Sequence, residues 1–254
     1  LSGEVDPDAY DKGFLHCDLL IIGAGPAGLA AALTAGRSGA RVILADEDFR
    51  MGGRLNAETF VLGNASGADW ARESVRELAS LPNVRLMTRT TILGAFDHGI
   101  YGALERVNDH VATPPAGQPR QILWRIYSKR AILAAGATER PIAFVNNDRP
   151  GIMMAGAVRA YVNRWAAAPG KRIAIFTNND DGLRTLDDLR AKGVEVAAVI
   201  DSRADATPVG GVEHYRGAVV CDTNGRLGLH SITVQTTSGD RRVIPCDALA
   251  VSGG

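Results

Sequence analysis

Residues 17–22 form a short apolar run closed by a glycine, the pattern of a parallel strand buried on both faces. Ala and Leu crowd residues 29–38 and Gly39 follows, so a helix is expected there, ended by a left-handed glycine. A second apolar run at 41–46 completes a βαβ unit. Trp70, Val75, Leu78 and Leu81 recur at helical spacing over 68–81, and Pro82 stops that helix. Residues 84–91 read as a further strand. Between 94 and 130, Pro114-Pro115 and the alternation over 122–127 predict an antiparallel excursion off the main sheet, after which 131–135 read as a buried strand ending at Gly136.

The pattern then repeats: a strand at 172–176, a helix over 182–192, a turn at Gly193 and a strand at 194–200. Residues 215–244 read as hairpins turning near Asn224-Gly225 and Ser238-Gly239. The expected fold is α/β: a doubly wound Rossmann-like sheet with a second, inserted Rossmann-like domain, as in flavoproteins with two dinucleotide-binding domains. The first domain is expected to span 15–140 and to resume at 246–254; the inserted one spans 150–245. The last stretch, 248–254, reads as a strand cut short of its closing helix.

Composition narrows the function classes. Lys plus Arg and Asp plus Glu each number 28, a net charge of zero that would gather neither nucleic acid nor an anionic membrane. No apolar run approaches the roughly 20 residues that span a bilayer, and no basic segment followed by an apolar one marks an export leader, so a cytoplasmic location is expected. Cys17, Cys221 and Cys246 are widely separated and read as buried thiols rather than a disulfide framework, a zinc site or a redox dithiol.

The chemistry is concentrated in Gly23-Ala24-Gly25-Pro26-Ala27-Gly28, a G-x-G-x-x-G set between a strand and a helix. Gly23 allows the sharp turn, Gly25 lets backbone N–H groups reach a pyrophosphate, and Gly28 lets helix and strand pack closely. The anion would sit at the positive end of the helix dipole. Asp46 closes the next strand about twenty residues on, where it can accept hydrogen bonds from ribose hydroxyls and repel a 2′-phosphate; Glu47 is a near substitute. Gly52 and Gly53 again bring backbone close to an adenosine diphosphate, and Arg54 can pair with phosphate. Ala135 and Gly136 end a strand in a run similar to the A-T-G crossover by which two-domain flavoproteins leave the first domain.

In the second cycle only Gly182 fits the fingerprint. Thr177 and Asn179 stand where the first two glycines belong, and Asp180 and Asp181 would repel a pyrophosphate, so this domain is expected to have lost or weakened its site, although Asp201 ends the next strand. His16, His98, His110, His214 and His230 have no triad or metal-ligand spacing, and no catalytic residue is assigned. Arg159, Tyr161, Asn163 and Arg164 read as an interface or a solvated helix face.

The run 17–29, with Gly52-Gly53, residues 134–141, Arg149-Pro150-Gly151-Ile152-Met153 and residues 176–180, resembles the alpha subunit of heterotetrameric sarcosine oxidases. The resemblance implies oxidation of N-methylglycine to glycine by oxygen, with the one-carbon unit passed to tetrahydrofolate or released as formaldehyde. It implies a hydride-removing flavin in a beta subunit, a small-molecule amine substrate, other subunits of a hetero-oligomer, and NAD in the first nucleotide site, or FAD if that site follows the wider fold. The family's alpha chain also carries ferredoxin-like and folate-binding portions, so the present stretch would be inactive alone. Two other readings are part of an opine or amino-acid oxidase and a scaffold chain that holds a nucleotide for structure.

Overall fold

The computed structural model describes residues 3, 6, 8–59 and 61–254. Several of the first residues, over which no export leader was expected, lie outside the described residues. The chain divides into two compact units, one of Leu1–Leu55 and Phe60–Gly136, the other of Asn56–Thr59 and Ala137–Gly254.

The first unit runs β1 (Tyr10–Ile22), α1 (Pro26–Arg37), β2 (Val42–Ala45), a small hairpin of β3 (Val61–Leu62) and β4 (Ala65–Ser66), α2 (Gly67–Ser80), β5 (Val84–Met87), β6 (Thr90–Phe96), β7 (Ile100–Glu105) and β8 (Gln121–Leu133). The sheet order is β5-β2-β1-β8-β7-β6, parallel through β8 and antiparallel beyond it. Ile21, Leu29, Leu33, Leu44 and Leu78 join β1 and β2 to α1 and α2, while Leu20, Ile43, Met87, Ala103 and Ile126 form a second cluster. Ser66 caps α2, its hydroxyl accepting from the Asp69 amide.

Three expectations change here. β1 starts at Tyr10 because the alternating stretch before Cys17 pairs in parallel with Gln121–Tyr127. The antiparallel segment extends the main sheet instead of leaving it. Ala131–Leu133 is not buried: β7 pairs only with residues from Ile122 to Tyr127, so the end of β8 is a sheet edge and Leu133 is 77% exposed.

The second unit contains β9 (Ile152–Met154), α3 (Ala155–Arg164), β10 (Arg172–Thr177), α4 (Asp180–Ala191), β11 (Glu195–Asp201), β12 (His214–Arg216), β13 (Val219–Asn224), β14 (Ser231–Gln235), β15 (Arg241–Pro245) and β16 (Ala248–Ser252). A parallel sheet of order β12-β11-β10-β16-β9 carries α3 and α4 against one apolar cluster. The antiparallel β13-β14-β15 sheet shares the other cluster with the parallel sheet. Residues 246–254, expected with the first domain, belong to the second. Ala248, Leu249 and Ala250 are fully buried between β10 and β9, where an all-apolar strand can cover both faces.

Arg159 is not on a solvated face. It is buried and pairs with Asp188 at 2.7 Å, with Asp181 and Glu58 at 3.5 and 3.6 Å. Asp188 also accepts from Thr59 Oγ1 at 2.6 Å and Asn163 Nδ2 at 3.0 Å. These contacts hold residues 56–59 in the second unit and satisfy a carboxylate that burial would otherwise penalise.

Candidate functional site

The strand-to-helix corner of the first unit collects most of the glycines that the fingerprint singles out. Gly23 has a φ of +98°, and a side chain there would collide with the Ala134 carbonyl, so the corner admits only glycine. Its amide donates to the Ala45 carbonyl at 2.8 Å, fixing the turn to the end of β2. A side chain on Gly28 would collide with the Gly23 carbonyl, so α1 lies directly on the turn. Gly25 differs: a β-carbon added there meets no atom within 4 Å. The first and third glycines make room for the fold, and the second faces open space.

That open space lies at the start of α1. Gly25 is the N-cap residue, no side chain caps the helix, Pro26 follows, and the first turn contains no acid. The helix therefore leaves its initial donors and positive dipole end unmatched by its own side chains. Pro26 and Ala27 are exposed and add no bulk. From the other side, the Gly52 amide donates to the Ala24 carbonyl at 2.8 Å, and a β-carbon on Gly53, whose φ is +52°, would come within 2.9 Å of Gly25 Cα. Ala134, from the end of β8, donates to the Ile22 carbonyl at 2.8 Å, and Ala135 and Gly136 leave the corner exposed, Gly136 with a φ of +73°.

Asp46 is more constrained than its position in the sequence implies. Oδ2 accepts from the Ala24 amide at 2.6 Å and Oδ1 from the Asp48 amide at 2.8 Å. The carboxylate thus ties the glycine turn to the loop after β2, and each oxygen keeps a lone pair beyond that bond. Glu47 is exposed, with its carbonyl accepting from Arg106 Nη2 at 2.9 Å. Arg54 is exposed in the short 3₁₀ turn Gly53–Asn56. Sequence spacing misses Arg89 and Arg106. Arg89 donates its amide to the Asp48 carbonyl and sets its guanidinium 5.2 Å from the Phe49 ring, so two cations flank a loop of three acids. They arrive from the residue before β6 and the residue after β7, beyond the reach of a local motif.

The equivalent corner of the second unit is filled. The Thr177 side chain is fully buried, donates to the Asn179 carbonyl at 2.8 Å, and would collide with any side chain at Gly182. Asn179 Oδ1 caps α4 by accepting from the Gly182 amide, and the first turn brings Asp180 and Asp181. Asp201, fully buried, is gripped by Arg203 through Nε and Nη2, and the same guanidinium reaches Asp180 at 2.8 Å. Both carboxylates hold the Arg203 guanidinium above its ordinary range. The helix end and the strand-end acid, which would bind a dinucleotide, are satisfied from within the chain.

Residues 18–98 match the FAD dependent oxidoreductase family. Over its full length the chain is 51% identical to the alpha chain of a sarcosine oxidase of Rhizobium meliloti (strain 1021), covering 26% of that protein. This chain is a sarcosine oxidase alpha homologue. It therefore spans about a quarter of the length of that relative. The homologue is also 33% identical to one subunit of an opine oxidase of Agrobacterium tumefaciens (strain Ach5), over 63% of this chain and 31% of that one. Among solved structures, the L-proline dehydrogenase of P. horikoshii superposes with a TM-score of 0.71 over 99% of this chain and 44% of that one; at 21% identity this establishes the α/β, Rossmann-like fold. The relationship puts the chain in a family named for its oxidase subunits and supports a flavin or dinucleotide cofactor. The named oxidase relatives are subunits. No helix among the described residues is long and apolar enough to cross a membrane.

Proposed function

We propose that this chain holds the adenosine diphosphate part of FAD in an oxidase subunit that acts, with a flavin-bearing partner subunit, on a small secondary amine such as sarcosine. The observation that supports the reading is the combination at Gly25: open space, an uncapped helix start, and flanking glycines that keep side chains out. The residues fit the group. Backbone amides at the start of α1 would take the diphosphate, Asp46 the ribose with Glu47 beside it, and Gly52, Gly53 and Arg54 the far side of the phosphates. Ala135 and Gly136 would line the exit. A flavin, when bound, supplies a two-electron acceptor for hydride from the carbon next to an amine nitrogen.

The family match favours FAD over the NAD implied by the resemblance to sarcosine oxidase alpha chains, since its span includes the whole glycine corner and Asp46. The chain's own part is to bind and orient. Asp46 fixes the turn and disfavours a 2′-phosphate, and the dipole of α1 offsets the diphosphate charge. Demethylation of sarcosine, like the identity of the partner, follows from the kinship with the alpha chains. The unpaired cysteines fit a reducing, cytoplasmic setting, and the stretch on its own is expected to be inactive.

Denaturing the purified protein and separating the released nucleotides tests this reading. FAD released in amounts near one per chain supports it. NAD in its place would return the site to the alternative cofactor, and release of neither would leave a scaffold without a nucleotide.

A further inference from the structure

The three-stranded meander of the first unit has one face closed by Leu15, Cys17, Ala103, Trp124 and Ile126. Its opposite face is bare. Strand pairing sets Phe96, Ile100, Tyr127 and His16 in one cross-strand row, with Gly94, Gly102, Arg125 and Phe14 in the next. His16 stacks on Tyr127 with centroids 5.0 Å apart, and the Arg125 guanidinium lies 5.7 Å from the Phe14 ring. The two glycines leave a flat seat for Phe96, whose ring edge lies 3.5 Å from a β-carbon built on Gly94 and 3.3 Å from one on Gly102. Phe14, Phe96 and Leu123 remain 57%, 64% and 45% exposed. Large apolar groups gathered on one face in this way mark an interaction surface.

Charge states what would cover it. Lys12, paired with Leu123, lies on this face with Arg125. Of the acids of these strands, Asp11 and Glu105 fall in the row of Ile122, which has the other parity and where Glu105 accepts from Trp124 Nε1, and Asp18 is already neutralised by Arg41 and Lys129. A second copy placed about a two-fold axis would set Arg125 and Lys12 against their own like charges. A membrane would call for protruding apolar groups, whereas the Phe96 ring rests against Gly94 and Gly102.

We propose that this face docks another subunit of the oxidase through a surface that is apolar and carries carboxylates opposite Arg125 and Lys12. The inference rests on the oxidase reading above. Its test uses the full-length natural protein assembled with its partner subunit. With Leu123→p-benzoylphenylalanine, irradiation should join this chain to the partner, at a peptide bearing Asp or Glu. Arg125→Glu should weaken the assembly about tenfold while leaving nucleotide content unchanged, and Arg125→Lys should restore it. An adduct within the same chain, an adduct to a second copy, no adduct, or an unchanged assembly with Arg125→Glu would each overturn the proposal. Binding to phosphatidylglycerol vesicles that Arg125→Glu abolishes would overturn it in favour of a membrane. Failure of the oxidase reading would show separately, as a preparation releasing neither FAD nor NAD whatever the crosslink.

Discussion

The two units repeat one local design, strand, turn, helix and an acid ending the next strand, and treat it in opposite ways. In the first, Gly25 starts an uncapped helix with no acid in its first turn, and the space above it is open. In the second, Asn179 caps the helix, Asp180 and Asp181 meet its dipole, Thr177 fills the turn, and Arg203 neutralises Asp201. An uncapped helix start is a liability unless something fills it; a capped one needs nothing. On the proposed reading, a Rossmann-like corner holds a nucleotide where its own side chains leave the helix start unsatisfied.

The most damaging change should be Gly25→Asp. Its carboxylate would occupy the open space at the helix start, where no packing forbids it, so dinucleotide affinity should fall about a hundredfold or more while the fold is kept. Calorimetric titration together with thermal unfolding checks both halves of that statement. Arg203→Ala acts on the opposite corner: it leaves Asp201 buried and unpaired, at a cost of about 2 kcal/mol, since Arg203 keeps 30% side-chain exposure, with nucleotide affinity unchanged. Denaturant unfolding and the same titration would show this separation; loss of nucleotide with Arg203→Ala would erase the contrast between the corners.

Asp46→Asn is a finer probe, since it keeps the size of the side chain and removes its charge. Affinity should drop about tenfold, and discrimination against a 2′-phosphorylated adenosine ligand should relax. The smallest effect is expected at Asp18, whose carboxyl is held well below the ordinary carboxylate range by hydrogen bonds from Arg41 and Lys129. A depressed folded pKa stabilises above the unfolded value of about 3.9, and the stabilisation fades as pH falls through the folded value. The parent should thus unfold about 1–2 °C above Asp18→Asn at pH 7, with the two melting curves converging in strong acid.

Local features were legible in the sequence because local chemistry decides them. The strand, three glycines, helix and Asp46 follow one another within a single βαβ unit, and Gly23 and Gly28 each carry a steric reason. The departure of the second fingerprint was legible in the same way, from Thr177, Asn179 and the paired aspartates. Placement in the sheet was not. Residues 248–254 read as a strand, but which sheet receives it depends on packing between β10 and β9. Ala131–Leu133 has the composition of a buried strand and ends as an edge because β7 stops short of it. Arg159 shows the same limit: a charged helix residue looks solvated until Asp188, Asp181 and Glu58 meet it from distant segments. Arg89 and Arg106 reach the loop after β2 only through the folded sheet.

The amide NMR spectrum recorded during titration with FAD addresses the contrast between the corners most directly. The amides of Gly25, Ala27 and Gly28 should shift and saturate together, while those of Asn179, Asp180 and Gly182 stay in place. Saturating shifts at the second corner with none at the first would contradict the account.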